Sequence, residues 1–120
     1  MVVIEIKHPK NWGLSWRLVN KLAIRALKHF GYNEKEVELS VYFVGRDKAK
    51  KLNIDYRQKS YIPQVLGFPM SKEKDVDGII HLGDIVICTQ KLKYESVFLN
   101  KKIEVVLREW LVHGVENLVK

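Results

Sequence analysis

Apolar positions along the 120-residue chain change period several times, and each change marks an element. Val2-Val3-Ile4-Glu5-Ile6 is dense in β-branched residues and predicts a strand. Ser15 stands where a helix N-cap belongs, and Leu18, Leu22, Ala26 and Phe30 then recur at every fourth position, with Val19 and Ala23 beside them. Gly31 follows as the stop, and Lys21, Arg25 and Lys28 fall on the outer face of that helix. Val37, Leu39, Val41 and Phe43 alternate with Glu38, Ser40 and Tyr42, the period of a half-buried strand. Strand, helix and strand in this order predict a crossover that leaves the two strands parallel.

The second half continues in the same way. Asp47 through Tyr56 reads as a short helix with Ala49, Leu52, Asn53 and Tyr56 on one side, followed by a polar loop over 57–65. Val65–Pro69 and Ile79–Ile87 read as strands flanking the Asp77-Gly78 pair, which predicts an antiparallel return. Thr89 opens a helix to about Leu99, and Asn100 a last one in which Ile103, Leu107, Trp110, Leu111, Gly114 and Leu118 share a face. The expected fold is α+β: one domain over 1–120, with a mixed, mostly parallel sheet of four strands packed against helices, the last helix carrying His113.

Charge changes this picture most. Lys and Arg number 21 against 14 for Asp and Glu, a formal charge of +7 and a pI near 9.5. Residues 1–30 hold six basic and one acidic side chain, and residues 46–59 hold six and two. Such concentration suits a polyanion, since each neutralised phosphate releases counterions; the alternative is two solvated lysine-rich faces. A single cysteine, Cys88, excludes an intramolecular disulfide and is the usage of a reducing cytoplasm. Glu5 and Lys7 interrupt what would have to be the apolar core of a leader, and no apolar run reaches membrane-spanning length.

Among chemistry-bearing residues, Cys88 belongs to an apolar strand and reads as an inert buried thiol. His8 precedes a proline and His29 lies in the last turn of the first helix, neither with a partner nearby in sequence, while His81 sits on a strand two residues before Gly83-Asp84 and reads as a surface or cross-strand residue. His113 falls on the border of the apolar face of the last helix, aligned with Asn117, so it can point into a cleft. No dinucleotide fingerprint, phosphate loop, Cys-x-x-Cys pair or nucleophile elbow is present.

Leu52-Asn53-Ile54-Asp55-Tyr56-Arg57, then Val65-Leu66-Gly67-Phe68-Pro69, then Leu82-Gly83-Asp84-Ile85-Val86-Ile87 and finally Leu111-Val112-His113-Gly114 together resemble the YbeY family of bacterial rRNA maturation endoribonucleases. The resemblance implies that Arg57 serves the RNA substrate and that His113 takes the first of three zinc-ligand positions, both as candidate catalytic residues. Asn117 stands at the second ligand position, and the third would fall beyond Lys120. Gln64 and Gly67 replace the Asp and Ser usual in the family. Asn offers a neutral amide oxygen that zinc seldom selects, and Glu116 is about 100° off the His113 stripe.

The implied chemistry is metal-assisted hydrolysis of single-stranded RNA, with reduced or absent catalysis as one version. Arg46, Lys48, Lys50, Lys51 and Lys59 would join Arg57 in binding phosphates. Tyr56 and Tyr61 would stack on bases, Tyr56 alternatively packing beneath its helix; Arg57 would alternatively pair with Asp55 or Asp47. The implied partners are rRNA, the small ribosomal subunit and ribosome-associated proteins, in the cytoplasm. Two other functions stay open: a non-catalytic rRNA- or ribosome-binding protein, and a basic protein-interaction module.

Overall fold

A computed structural model describes residues 4–10 and 12–120. Val2 and Val3 of the expected first strand lie outside the described residues. Four strands and four α-helices follow one another as β1 (Ile4–Lys7), α1 (Trp16–His29), β2 (Val37–Val44), α2 (Arg46–Arg57), β3 (Val65–Pro69), β4 (Ile80–Cys88), α3 (Thr89–Phe98) and α4 (Ile103–Val119). A short 3₁₀ turn over Glu34–Glu36, which periodicity does not predict, is opened by Asn33, whose Oδ1 accepts from the Lys35 amide at 3.0 Å.

Both ends of α1 follow from local chemistry. The Ser15 hydroxyl accepts from the Leu18 amide at 3.4 Å. At the other end Gly31, at φ 84°, reverses the chain, so that the Tyr32 amide donates to the Leu27 carbonyl and the Gly31 amide to that of Lys28, both at 3.0 Å. The buried stripe is Val19, Leu22, Ala23, Ala26 and Leu27, with Leu18 and Phe30 only partly covered. A row taken every fourth residue drifts by about 40° per step, so only its middle faces the core.

The sheet order is β1-β2-β4-β3, parallel between β1, β2 and β4 and antiparallel between β3 and β4. This is the expected mixed, mostly parallel α+β arrangement. One irregularity interrupts it: Glu38 pairs with His81 and Leu39 with Gly83, leaving Leu82 as an extra residue. Gly83 adopts φ 138°, and a Cβ there would stand 2.3 Å from the Phe68 carbonyl oxygen. Only glycine fits that bulge.

Helices α1 and α4 cover one face of the sheet, burying Leu39, Val41, Phe43, Leu82, Ile85 and Ile87 against Leu27, Leu107 and Leu111. Helix α2 lies on the opposite face, where a smaller cluster of Val44, Ala49, Leu66, Val86 and Cys88 forms. Cys88 is therefore buried, as its strand context predicts. Helix α4 reaches the sheet because Gly114 has no side chain: an added Cβ would lie 2.8 Å from Ile85 Cγ2.

Gly114→Ala therefore forces a fully packed core to accept an extra methyl, at about 1–3 kcal/mol against a helix-propensity gain of roughly 1 kcal/mol. Ile85→Ala alone costs about 2–5 kcal/mol. Because the second change removes the atoms the first collides with, the double variant is expected to be less destabilised than the sum of the singles by at least about 0.5 kcal/mol in urea titrations. Strict additivity would contradict this contact.

Candidate functional site

Arg57 is the last residue of α2, and Gln58 beyond it takes a left-handed conformation at φ 54° that turns the chain back on itself. The loop that follows is pinned from within. Asn53 is fully buried, and its Nδ2 donates to the Tyr61 carbonyl at 3.0 Å, while the Cys88 amide donates to the Gln64 carbonyl at 3.1 Å. Asn53 Oδ1 has no partner among the described residues, so the side chain is kept in place at the cost of one unsatisfied acceptor. The pinned loop delivers Tyr61, Pro63 and Gln64 to the start of β3.

On the far side of β3 stands α4. Gly67 faces it, and a Cβ at that position would lie 2.9 Å from Asn117 Cβ and 3.4 Å from the Gly114 carbonyl oxygen. The helix thus rests directly on the strand, which brings His113 and Asn117, one turn apart and both exposed, over the strand and within reach of Arg57. Two adjoining hollows result. One, of about 370 Å³, is lined by Arg57, Val65, Leu66, Gly67, His113 and Asn117. The other, of about 390 Å³, is walled by Arg57, Tyr61, Gln64, Lys91 and His113, among others. The expectation that His113 borders a cleft facing Arg57 agrees with this placement.

The remaining expected phosphate contacts divide. Arg46, at the other end of α2, lines a third hollow of about 550 Å³ that shares Ile62 and Lys91 with the second and adds Gln90 and Tyr94. Lys48 instead enters a hollow of about 340 Å³ on the α2 face of the sheet, with Tyr42, Tyr56, Phe68 and Asp84. Lys50, Lys51 and Lys59 are exposed and line none of the three basic hollows. Tyr56 does not pack beneath its helix: it is 65% exposed, with its ring edge-on to Phe68 at 5.1 Å. No carboxylate pairs with Arg57 among the described residues, Asp47 and Asp55 included. Lys91 and Tyr94 were missed by sequence reasoning, because α3 carries no amphipathic signal that separates them from an ordinary solvated face.

The other histidines lie elsewhere. His8 stacks on Trp12 with ring centroids 3.8 Å apart, and His29 meets Phe30 edge-on at 5.0 Å. His81 bridges two carboxylates, Nε2 at 2.6 Å from Asp75 Oδ2 and Nδ1 at 3.2 Å from Glu38 Oε1. Hydrogen bonds to Asp75 and then Glu38 raise its pKa above the ordinary value. Asp75 is held below the carboxylate range, first by the Ile79 amide and next by His81. Burial lifts the Asp84 carboxyl, on the α2 side of the sheet, above its ordinary range. Neither His81 nor Asp84 joins His113.

Zinc donors are correspondingly scarce. The turn after His113 offers the Asn117 amide, and the Glu116 carboxylate is engaged with Lys120 at 3.5 Å. Among the described residues no three His, Cys, Asp or Glu side chains are placed to hold a metal ion. The residues present do not fit a three-ligand zinc centre.

Fold and site together define a small basic α+β domain whose single cleft histidine faces an arginine that no carboxylate claims among the described residues. The model of the family described as endoribonuclease YbeY matches residues 6–119, and the chain belongs to that family. Relatives named endoribonuclease YbeY include one from Chromobacterium violaceum, 32% identical over 84 residues that make up 70% of this chain and 50% of the relative. Another, from Aquifex aeolicus, is 35% identical over 101 residues, 84% of this chain and 65% of the relative. The chain thus spans about half to two thirds of the length of these relatives. The solution structure of TM1509 from Thermotoga maritima shares the fold, with a TM-score of 0.62 over 98% of this chain and 73% of that one at 23% identity.

The His81 cluster generates a pH dependence with a definite sign. A histidine whose pKa is raised by folding contributes stability fully below its unfolded value of 6.5, and the contribution fades as pH rises through the higher folded value. Asp75 works the other way, contributing above 3.8 and losing its contribution as pH falls through its lower folded value. Thermal midpoints are therefore expected to decline above pH 6.5, and His81→Gln is expected to flatten that decline. An unchanged profile in the variant would assign the slope to other groups.

Proposed function

We propose that this chain acts in rRNA maturation by binding single-stranded RNA across the Arg57–His113 cleft, as a member of an endoribonuclease family. The observation that carries this reading is the composition of the cleft: two elements remote in sequence bring an arginine and a histidine into the same hollows, and among the described residues lining them there is no Asp or Glu. A guanidinium free of carboxylates keeps its forked donors for phosphate oxygens, where charge-assisted pairs are strongest. Its place at the C-terminal end of α2 is also where a cation is favoured by the helix dipole. His113 lines the same hollows with an imidazole that can hydrogen-bond RNA, and Tyr61, 52% exposed, offers a face for a base.

The name of the relatives, endoribonuclease YbeY, supports RNA as the substrate class, and on this reading the chain works on the rRNA of the small ribosomal subunit in the cytoplasm. No helix among the described residues is long and apolar enough to cross a membrane. On this reading Arg57 and His113 position the strand, and no hydrolytic step runs through a zinc ion held by these side chains.

Two measurements test the proposal. Arg57→Ala is expected to weaken binding of a labelled single-stranded oligonucleotide about tenfold, the size of one charge-assisted pair, and to make the slope of log K against log salt shallower by about 0.7. Unchanged affinity and slope would overturn the assignment of Arg57. Equilibrium dialysis against zinc is expected to leave well under one bound ion per chain; tight stoichiometric zinc that disappears in His113→Ala would overturn the reading of the donor set.

A further inference from the structure

The three basic hollows are not separate. The first and second share Arg57, Val65 and His113, and the second and third share Ile62 and Lys91, so they adjoin in a row and make a basic depression from Asn117 to Tyr94 with shared walls. Its two arginines are the first and last residues of α2, roughly 16 Å apart at 1.5 Å rise per residue, and Lys91 lines the hollows at both. Among the described residues lining it from end to end there is no carboxylate. At the far end, Tyr94 and Phe98, one turn apart on α3, stack on each other with centroids 5.8 Å apart and planes 11° from parallel. They are 62% and 69% exposed, so a large aromatic surface is held ready and covered by nothing in the described chain.

We propose, building on the RNA-binding reading above, that single-stranded RNA runs along this depression past the Arg57–His113 cleft. Lys91 and Arg46 take successive phosphates, and an unpaired base stacks on the Tyr94–Phe98 pair. The chemistry matches on both counts. An acid-free line of cations meets a polyanion without repulsion, and exposed aromatic faces accept bases regardless of sequence. A neutral apolar partner would use the aromatic pair but gain nothing from Lys91 and Arg46. The assignment also separates the basic residues into two kinds: Lys91 lies in the path, whereas Lys50, of equal charge, does not.

The test uses fluorescein-labelled oligouridylates of about 4 and about 16 nucleotides, spanning the site sizes of single-strand binders. Tyr94→Ala and Phe98→Ala are expected to weaken the long oligonucleotide at least about fivefold while leaving the short one unchanged. Lys91→Gln is expected to weaken both more than Lys50→Gln does. Phe98→Trp, which keeps the aromatic surface, is expected to add indole emission that the long oligonucleotide alone quenches. Equal losses for Lys91→Gln and Lys50→Gln, with silent aromatic variants, would overturn the path while Arg57→Ala still weakened binding. Added emission that neither oligonucleotide moves in Phe98→Trp would overturn the stacking of a base on the aromatic pair. Failure of the unaltered protein to bind either oligonucleotide would sink the underlying RNA reading as well.

Discussion

The site depends on how closely α4 approaches the sheet. Two glycines permit it, Gly114 on the helix against Ile85 and Gly67 on β3 against Asn117, and in each case a single added carbon would stand under 3.0 Å from its neighbour. Core packing is dense and does not yield by half an ångström without cost, so the helix has one seat. That seat puts His113 over β3, and β3 is where the loop from α2 delivers its residues. The hollows that the imidazole and the Arg57 side chain line together lie against this contact of helix and strand.

A second constraint acts on the other wall. The loop after Arg57 contains no regular structure, yet it is held at its middle and at its end by hydrogen bonds, from Asn53 to the Tyr61 carbonyl and from the Cys88 amide to that of Gln64. A buried asparagine with an orphaned oxygen adds little to stability by itself. It makes sense where Tyr61 and Arg57 must keep their relation to each other. The charged surface then follows from position: acidic residues such as Glu34, with Lys28, and Glu109, with Lys101, pair elsewhere on the surface, and none lines the depression among the described residues.

Most of the architecture was readable from periodicity, because strands with alternating burial and helices with Gly stops carry their own signals. Helix α2, the antiparallel return into β4 and the parallel β1–β2 pair all form as expected. The bulge at Leu82 was not readable, since a one-residue slip leaves an apolar run looking continuous. At the site, Arg57 and His113 were found through short motifs, but the division among the basic residues of α2 was hidden. Arg46 and Arg57 sit at the helix ends beside other elements, whereas Lys50, Lys51 and Lys59 are exposed and line none of the three basic hollows. Charge runs report how much, not which way. Lys91 and Tyr94 were invisible for the complementary reason: they matter only because α3 packs beside the α2 loop.

Two departures from the family pattern that look independent along the chain meet in space. Gly67 replaces a serine and Asn117 a histidine, and the structure puts these positions against each other, with 2.9 Å from a Cβ built at 67 to Asn117 Cβ. A serine at 67 needs room that α4 in this seat does not leave. At position 117 the helix presents a neutral amide that donates and accepts hydrogen bonds beside His113. What the site gives up in metal-binding donors it gains in a close, polar, carboxylate-free wall, which is the property a phosphate backbone requires.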